Sequence, residues 1–266
     1  MKNVYIENPF LKFLLRKEPE RTISKTGIII RKKIFPLIAF TGQKLYKLNL
    51  CTVEKNDIPN DKPVIFACTH GFKEDFLASL ITVGEDFYVL FGNRKQALGC
   101  IDGFCAYVTG MILVDRFDKE SRRASRKKIK YALKLGAKVA IFPEGTWNTS
   151  PNKLVLGLYP GIWDIAAEAG ALIVPIATLK GKDAVYSSIG KNIDPTTMDK
   201  VEGMKYLRDV LATLKWNLME IETVNDPTVI PHGDAGLDYW KNIVEKEISS
   251  VKYYDRYAES QCVYKS

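Results

Sequence analysis

Histidine is nearly absent from this chain. Of 266 residues only His70 and His232 are histidines, so any chemistry that needs an imidazole has two candidates. Cysteine is also sparse, with five residues: Cys51, Cys68, Cys100, Cys105 and Cys262. The odd number and irregular spacing fit neither a disulfide framework nor a zinc site. Cys68, Cys100 and Cys105 lie in apolar stretches and read as buried free thiols, which favours a reducing, cytoplasmic compartment. A membrane span needs roughly 20 consecutive apolar residues. The nearest candidate, Gln96 to Val114, contains Asp102 and three glycines, and reads as a glycine-punctuated buried region. Pro9, Pro19 and several charges interrupt the apolar core that a secretory leader would require. There is no internal repeat and no low-complexity segment.

What is present describes a folded body. Hydrophobic residues make up 46% and charged residues 26% of the chain, enough apolar surface for a substantial core. The net charge of +8 is unevenly placed. Residues 1–50 hold eleven Lys and Arg against three Asp and Glu, whereas the remainder holds 28 of each. A basic segment on a neutral body points to an anionic partner, either a lipid surface or nucleic acid. Within residues 8–50, Arg31-Lys32-Lys33 and Lys44/Lys47 alternate with Phe10/Phe13/Leu14, Ile28–Ile30 and Ile34–Phe40. This pattern predicts amphipathic helices, broken near Gly27 and Pro36. Helices of this composition lie in a membrane interface without crossing it. Three regions are expected: a basic membrane-contact segment over 1–44, a body over 45–222, and an extension over 223–266 with no assigned role.

From Pro63 the pattern becomes α/β. Apolar runs at 64–68, 87–91, 111–114, 138–142 and 172–176 read as strands. Helices are expected at 72–82, 119–135, 161–169 and 200–221, the second of them strongly basic and closed by Gly136. Alternating strands and helices predict a mostly parallel central sheet covered by helices on both faces. Sites in such sheets form where strands run out at their carboxyl ends.

Four segments carry the chemistry, three of them at strand exits. His70 follows the 64–68 strand, and Asp75 lies five residues on. A carboxylate beside an imidazole sets its tautomer and stabilises the imidazolium formed when it accepts a proton. Gly110 to Arg116 ends an apolar strand on Asp115-Arg116, and arginine suits bidentate contact with phosphate or carboxylate. Phe142-Pro143-Glu144-Gly145-Thr146 reads as a tight turn that places a carboxylate and backbone amides beside the sheet edge. Pro175, in Val174-Pro175-Ile176, disrupts the ladder near a strand end, and either shapes a pocket wall or simply ends the strand. The basic helix cannot gather Arg122, Arg123, Arg126, Lys127, Lys128 and Lys130 into one narrow stripe, so most of these are expected in solvent.

In this order, the four segments resemble the 1-acylglycerol-3-phosphate acyltransferase family, also called the glycerolipid acyltransferases, from about Leu45 to Pro195. His70/Asp75 is similar to that family's catalytic His-x4-Asp block, and Arg116 to its phosphate-contacting arginine. Phe142 to Thr146 is similar to its acceptor-binding block, and Pro175 to the block on the acyl-chain side. Lys95 resembles a basic position upstream of the arginine block. The resemblance implies that His70 deprotonates an acceptor hydroxyl while Asp75 orients the ring. Arg116 and Lys95 would hold the phosphate, and Glu144, Gly145 and Thr146 the rest of the acceptor. Acyl-CoA or acyl carrier protein would be the donor and a lysophospholipid the acceptor, most simply 1-acylglycerol-3-phosphate. No cofactor, no metal and no nucleic acid would be involved. The implied setting is the cytoplasmic face of the cell membrane, with peripheral attachment to an anionic surface. Two positions depart from the pattern. Thr69 stands where the first block usually has asparagine, though a threonine can still cap the turn. Trp147 stands where an arginine usually follows Gly-Thr, which leaves Lys153 or the basic helix to supply the missing charge, or points to an amine or another lysolipid as acceptor.

Overall fold

The computed structural model describes residues 14–15, 18–92, 101–225, 233–251 and 253–264; within 101–105 and 222–225 only the backbone is considered. Lys95, Cys100 and His232 lie outside the described residues.

Seven strands form one sheet in the order β1-β7-β6-β2-β5-β3-β4. They are β1 Leu50–Lys55, β2 Val64–Cys68, β3 Tyr88–Phe91, β4 Met111–Leu113, β5 Val139–Ile141, β6 Leu172–Lys180 and β7 Val185–Ile189. All neighbours are parallel except β6 and β7. The helices are α1 Lys25–Leu45, α2 Asp75–Val83, α3 Ile101–Gly110, α4 Lys119–Lys134, α5 Gly161–Ala169, α6 Lys200–Asn225, α7 Gly233–Ser249 and α8 Arg256–Ser260.

The five residues of β2 are all buried, because the strand has helices on both sides. Alternation along it sorts the core into two layers. Ile65 and Ala67 join Ile129 and Ala132 of α4, Trp163 and Ile165 of α5, and Leu207 and Leu211 of α6. Val64, Phe66 and Cys68 face the other way, onto Leu80 and Val83 of α2. Each fully buried aliphatic or aromatic side chain contributes about 1.5–3 kcal/mol, so the central strand fixes the frame on which the site is mounted.

Four expectations change. First, α1 runs unbroken through Gly27 and Pro36. Arg31 ties it to the body by donating to the Val108 carbonyl at 3.2 Å and bonding the Tyr88 hydroxyl. Gly42 packs so closely on Leu77 that a Cβ there would lie 2.9 Å from its Cδ1. These anchors on either side of Pro36 offset the hydrogen bond that the proline removes. Second, β6 continues past Pro175 to Lys180. Pro175 falls between the Ile173–Ile193 bridge and the ladder to β7 that starts at Ile176, where a missing N–H leaves no ladder bond broken. Third, Thr69 does not cap the turn; its Oγ1 accepts from the Thr178 amide at 3.0 Å, tying the end of β2 to β6. Fourth, Lys128 of the basic helix is buried at 2% exposure, with Nζ donating to the Leu14 carbonyl at 2.6 Å. Burial pushes its pKa down to about 8, with Glu18 pulling weakly upward.

Candidate active site

The site forms at the carboxyl end of β2. There the chain leaves the strand at Thr69, turns through His70 to Glu74, and enters α2 at Asp75. Asp75 is 1% exposed. A carboxylate so deeply buried needs partners, and it has three on one oxygen. Oδ2 lies 2.8 Å from His70 Nδ1, and accepts from the amides of Gly71 at 2.8 Å and Phe72 at 3.3 Å. The acid is therefore held by two backbone amides independently of the histidine. Because a carboxylate only accepts, Nδ1 carries the proton and Nε2 keeps its lone pair. The imidazole retains 26% exposure and packs against Phe142 at 4.5 Å between ring centroids.

The 142–148 turn holds the His70 backbone from the other side. Glu144 is completely buried. Its Oε1 accepts from the His70 amide at 3.0 Å and its Oε2 from the Leu156 amide at 2.8 Å. Burial pushes its pKa up, against the pull of these amides and of Lys215 and His70. Glu144 thus braces the histidine-bearing turn from within, with both carboxylate oxygens engaged by backbone amides. The Gly145 amide is also committed, donating to the Phe142 carbonyl at 3.0 Å. Gly145 has φ 73°, and a Cβ there would lie 2.6 Å from Tyr159 Cε2. Glycine is required on both counts. The Asn148 amide closes the turn on the His70 carbonyl at 2.7 Å.

Arg116, just beyond β4, reaches the same turn and donates to the Gly145 carbonyl at 2.6 Å. It lies flat against Gly92 at the end of β3, where a Cβ would meet Arg116 Cδ at 2.9 Å. Its guanidinium forks onto Glu259 of α8, Nη2 to Oε1 at 2.6 Å and Nη1 to Oε2 at 3.2 Å. Thr146 Oγ1 donates to the same Oε2 at 2.7 Å. Burial opposes the charge on Arg116, but Glu259 more than compensates and its pKa lies above the ordinary value. The structure therefore brings His70, Asp75, Arg116, Glu144, Gly145 and Thr146 to one end of the sheet, while Pro175 lies inside it against Gly190.

Trp147 stacks edge-on to His70 at 6.0 Å and packs on Tyr254 at 5.1 Å. Of the cations proposed to replace the missing arginine, Arg122 donates to the Arg116 carbonyl at 2.6 Å, and the Lys153 carbonyl accepts from Asn148 at 2.9 Å. Arg126 and Lys130 are drawn away to Glu168. Three residues of the site give no local signal in the sequence. Glu259 lies 143 residues from Arg116. Tyr159 holds the Cys262 carbonyl through its hydroxyl at 2.8 Å. Lys215, in α6, is near enough to Glu144 and Asp75 to feel both charges; burial lowers its pKa and the two carboxylates oppose that. Cys68, behind the histidine, is fully buried and its pKa is pushed up to about 12, chiefly by burial. A thiol so hard to ionise is no nucleophile. Among the described residues no group of acids, histidines and cysteines could hold a metal ion.

Fold and site define a class: an α/β protein with a carboxylate-backed imidazole and a forked arginine at the carboxyl ends of a mostly parallel sheet. Comparison with known proteins narrows this. Residues 49–179 match the Acyltransferase family model. A 1-acyl-sn-glycerol-3-phosphate acyltransferase of Chlamydomonas reinhardtii is 32% identical over 143 residues, covering 54% of this chain and 41% of that protein. A chloroplastic 1-acyl-sn-glycerol-3-phosphate acyltransferase of Arabidopsis thaliana is 29% identical over 148 residues, covering 56% and 40%. The matched stretch thus spans less than half the length of these relatives. The crystal structure of the 1-acyl-sn-glycerophosphate acyltransferase PlsC from Thermotoga maritima superposes with a TM-score of 0.58 at 19% identity, covering 71% of this chain and 81% of that one. It shares the fold.

Proposed function

We propose that this chain transfers an acyl group from a thioester, acyl-CoA or acyl carrier protein, to the free hydroxyl of 1-acylglycerol-3-phosphate, giving phosphatidate. The observation that carries the reading is the 2.8 Å contact between His70 Nδ1 and the buried, amide-locked Asp75. That contact leaves Nε2 as a base with a fixed direction. As the acceptor oxygen attacks the thioester carbonyl, Nε2 takes its proton, and Asp75 stabilises the imidazolium. The tetrahedral intermediate then expels the thiolate, and His70 returns the proton to its sulfur. An ester and a free thiol result, with no acyl-enzyme. Arg116 and Thr146 bind the phosphate of the acceptor, and charge-assisted hydrogen bonds of this type contribute about 1.5–3 kcal/mol each. Glu144 and Gly145 act on the acceptor indirectly, by shaping the turn that presents these groups. Pro175 keeps the acyl-chain role that the family resemblance implies, and Lys95 its part in holding phosphate.

We assign the reaction to an anionic membrane surface, with peripheral attachment on the cytoplasmic side. Among the described residues no helix is long and apolar enough to cross a membrane. Instead α1 exposes Ile29, Ile30, Leu37 and Phe40, each more than half accessible. With Lys33 and Lys44 they share a stripe at helical spacing, an exposed apolar face interspersed with cations that suits a lipid interface. The reaction is tested by thiol release: with acyl-CoA present, free thiol should form only when 1-acylglycerol-3-phosphate is added. Release that ignores the acceptor would mean hydrolysis and would overturn the reading.

A further inference from the structure

In this structure two of the side chains assigned to the acceptor phosphate, Arg116 and Thr146, are already occupied by an anion of the chain itself. Arg116 holds both oxygens of Glu259 in a fork, and Thr146 donates to one of them. A bidentate carboxylate is the nearest side-chain equivalent of a phosphate on an arginine. The fork leaves one donor unused: Arg116 Nε is buried with no partner among the described residues. An anion with a third oxygen has more to offer this arginine than a carboxylate has.

The segment that delivers Glu259 lies across the site on few anchors. Tyr254 packs on Trp147, which also meets His70 edge-on. Tyr159 holds the Cys262 carbonyl, and the Tyr264 carbonyl lies over Gly157, where a Cβ would stand 2.6 Å away. Trp240 Nε1 donates to the Thr149 carbonyl at 3.2 Å. Yet neither α7 nor α8 contains a buried residue. Only Val251 and Cys262 among the described residues of the segment are buried, and Glu247 pairs with Lys180. A segment held mainly by polar and aromatic contacts with so little core separates at lower cost than the sheet unfolds.

We infer that Glu259 is a built-in occupant of the acceptor's phosphate subsite, and that the segment 233–264 is a cap which the acceptor phosphate displaces. This inference rests on Arg116 being the phosphate ligand. Glu259 then acts as a specificity-determining residue. A phosphate monoester carries a charge of about −1.5 to −2 and three acceptor oxygens, and outcompetes a carboxylate of charge −1. An uncharged acceptor does not. The apparent affinity for acceptor is the intrinsic affinity scaled by the fraction of molecules with the cap open.

Two measurements on the full chain test this. In the first, hydrogen–deuterium exchange is followed on peptides covering 253–264, with sn-glycerol 3-phosphate as probe and glycerol as control. Exchange should accelerate with the phosphate and not with glycerol. In the second, Glu259→Gln is assayed with 1-acylglycerol-3-phosphate, and kcat/KM should rise about tenfold through a lower KM. Unchanged exchange at a phosphate concentration that protects the 110–118 peptide would overturn the cap. So would an unchanged or higher KM in the folded Gln variant. Absence of acyl transfer in the wild type would sink the enzymatic reading alone, since the exchange measurement needs no turnover.

Discussion

Asp75 and His70 lie five positions apart, and their contact is a local consequence of one strand leading through one turn into one helix. That is why the pair was legible in the sequence: a buried strand end fixes the first residue, and the start of a helix fixes the second. Removing the imidazole in His70→Ala should lower the transfer rate about 10²–10⁴-fold while leaving the unfolding temperature within a few degrees. Asp75→Asn should cost a comparable factor, because an amide no longer dictates the tautomer. Rates measured beside thermal unfolding curves check both. Glu144 shows what spacing could not reveal. A glutamate in a turn beside a sheet edge has the same sequence signature whether it faces a ligand or its own backbone, and here it serves the amides of His70 and Leu156. Glu144→Ala should therefore lower stability as well as rate, since it strands two buried amides at about 1–3 kcal/mol each. A variant with full stability and lost turnover would contradict this assignment.

At the scale of elements, the five strands with continuous apolar runs were legible because burial on both faces leaves no polar alternation to confuse them. The two strands that escaped notice, β1 and β7, lack such runs. β1 is an edge strand with most of its residues in solvent, and β7 places Ser187 and Ser188 in the interior. Ser187 is tolerated there because it bonds Thr82 at 2.7 Å. The basic helix α4 was legible as a helix but not in its burial, since Lys128 looks like its neighbours in sequence and differs only in what covers it. Its position has a pH signature. The pKa falls from 10.5 unfolded to about 8 folded, so between these values the unfolded chain binds more protons. Stability from this group is then present above pH 10.5 and lost as pH falls through about 8. Lys128→Met should flatten the rise of the urea midpoint between pH 8 and 10, in so far as the rest of the fold tolerates alkali equally. An unaltered slope would mean that the ammonium is not desolvated.

For the whole molecule, a neutral body joined to a basic segment predicts surface attachment, and α1 exposes Ile29, Ile30, Leu37 and Phe40, the residues on which the proposed attachment rests. The segment is also part of the fold, because Arg31 and Gly42 bind it to the body. Attachment is therefore better tested by point changes than by removing the helix. Leu37→Asp with Phe40→Asp should weaken sedimentation with anionic liposomes at least tenfold and leave thiol release on dispersed substrate intact. Equal binding by the double variant would place the membrane contact elsewhere. The extension beyond residue 223 was opaque in sequence, because its role depends on contacts more than a hundred residues away, such as that of Glu259 with Thr146. All of this depends on one claim, that the carboxylate-backed imidazole moves an acyl group onto the hydroxyl of a phosphate-bearing lipid. The most direct test is mass spectrometry of the products formed by the purified chain from acyl-CoA or acyl carrier protein and 1-acylglycerol-3-phosphate. Phosphatidate should form with the wild type and fall to background with His70→Ala; no phosphatidate from either donor, or equal amounts from both proteins, would contradict it.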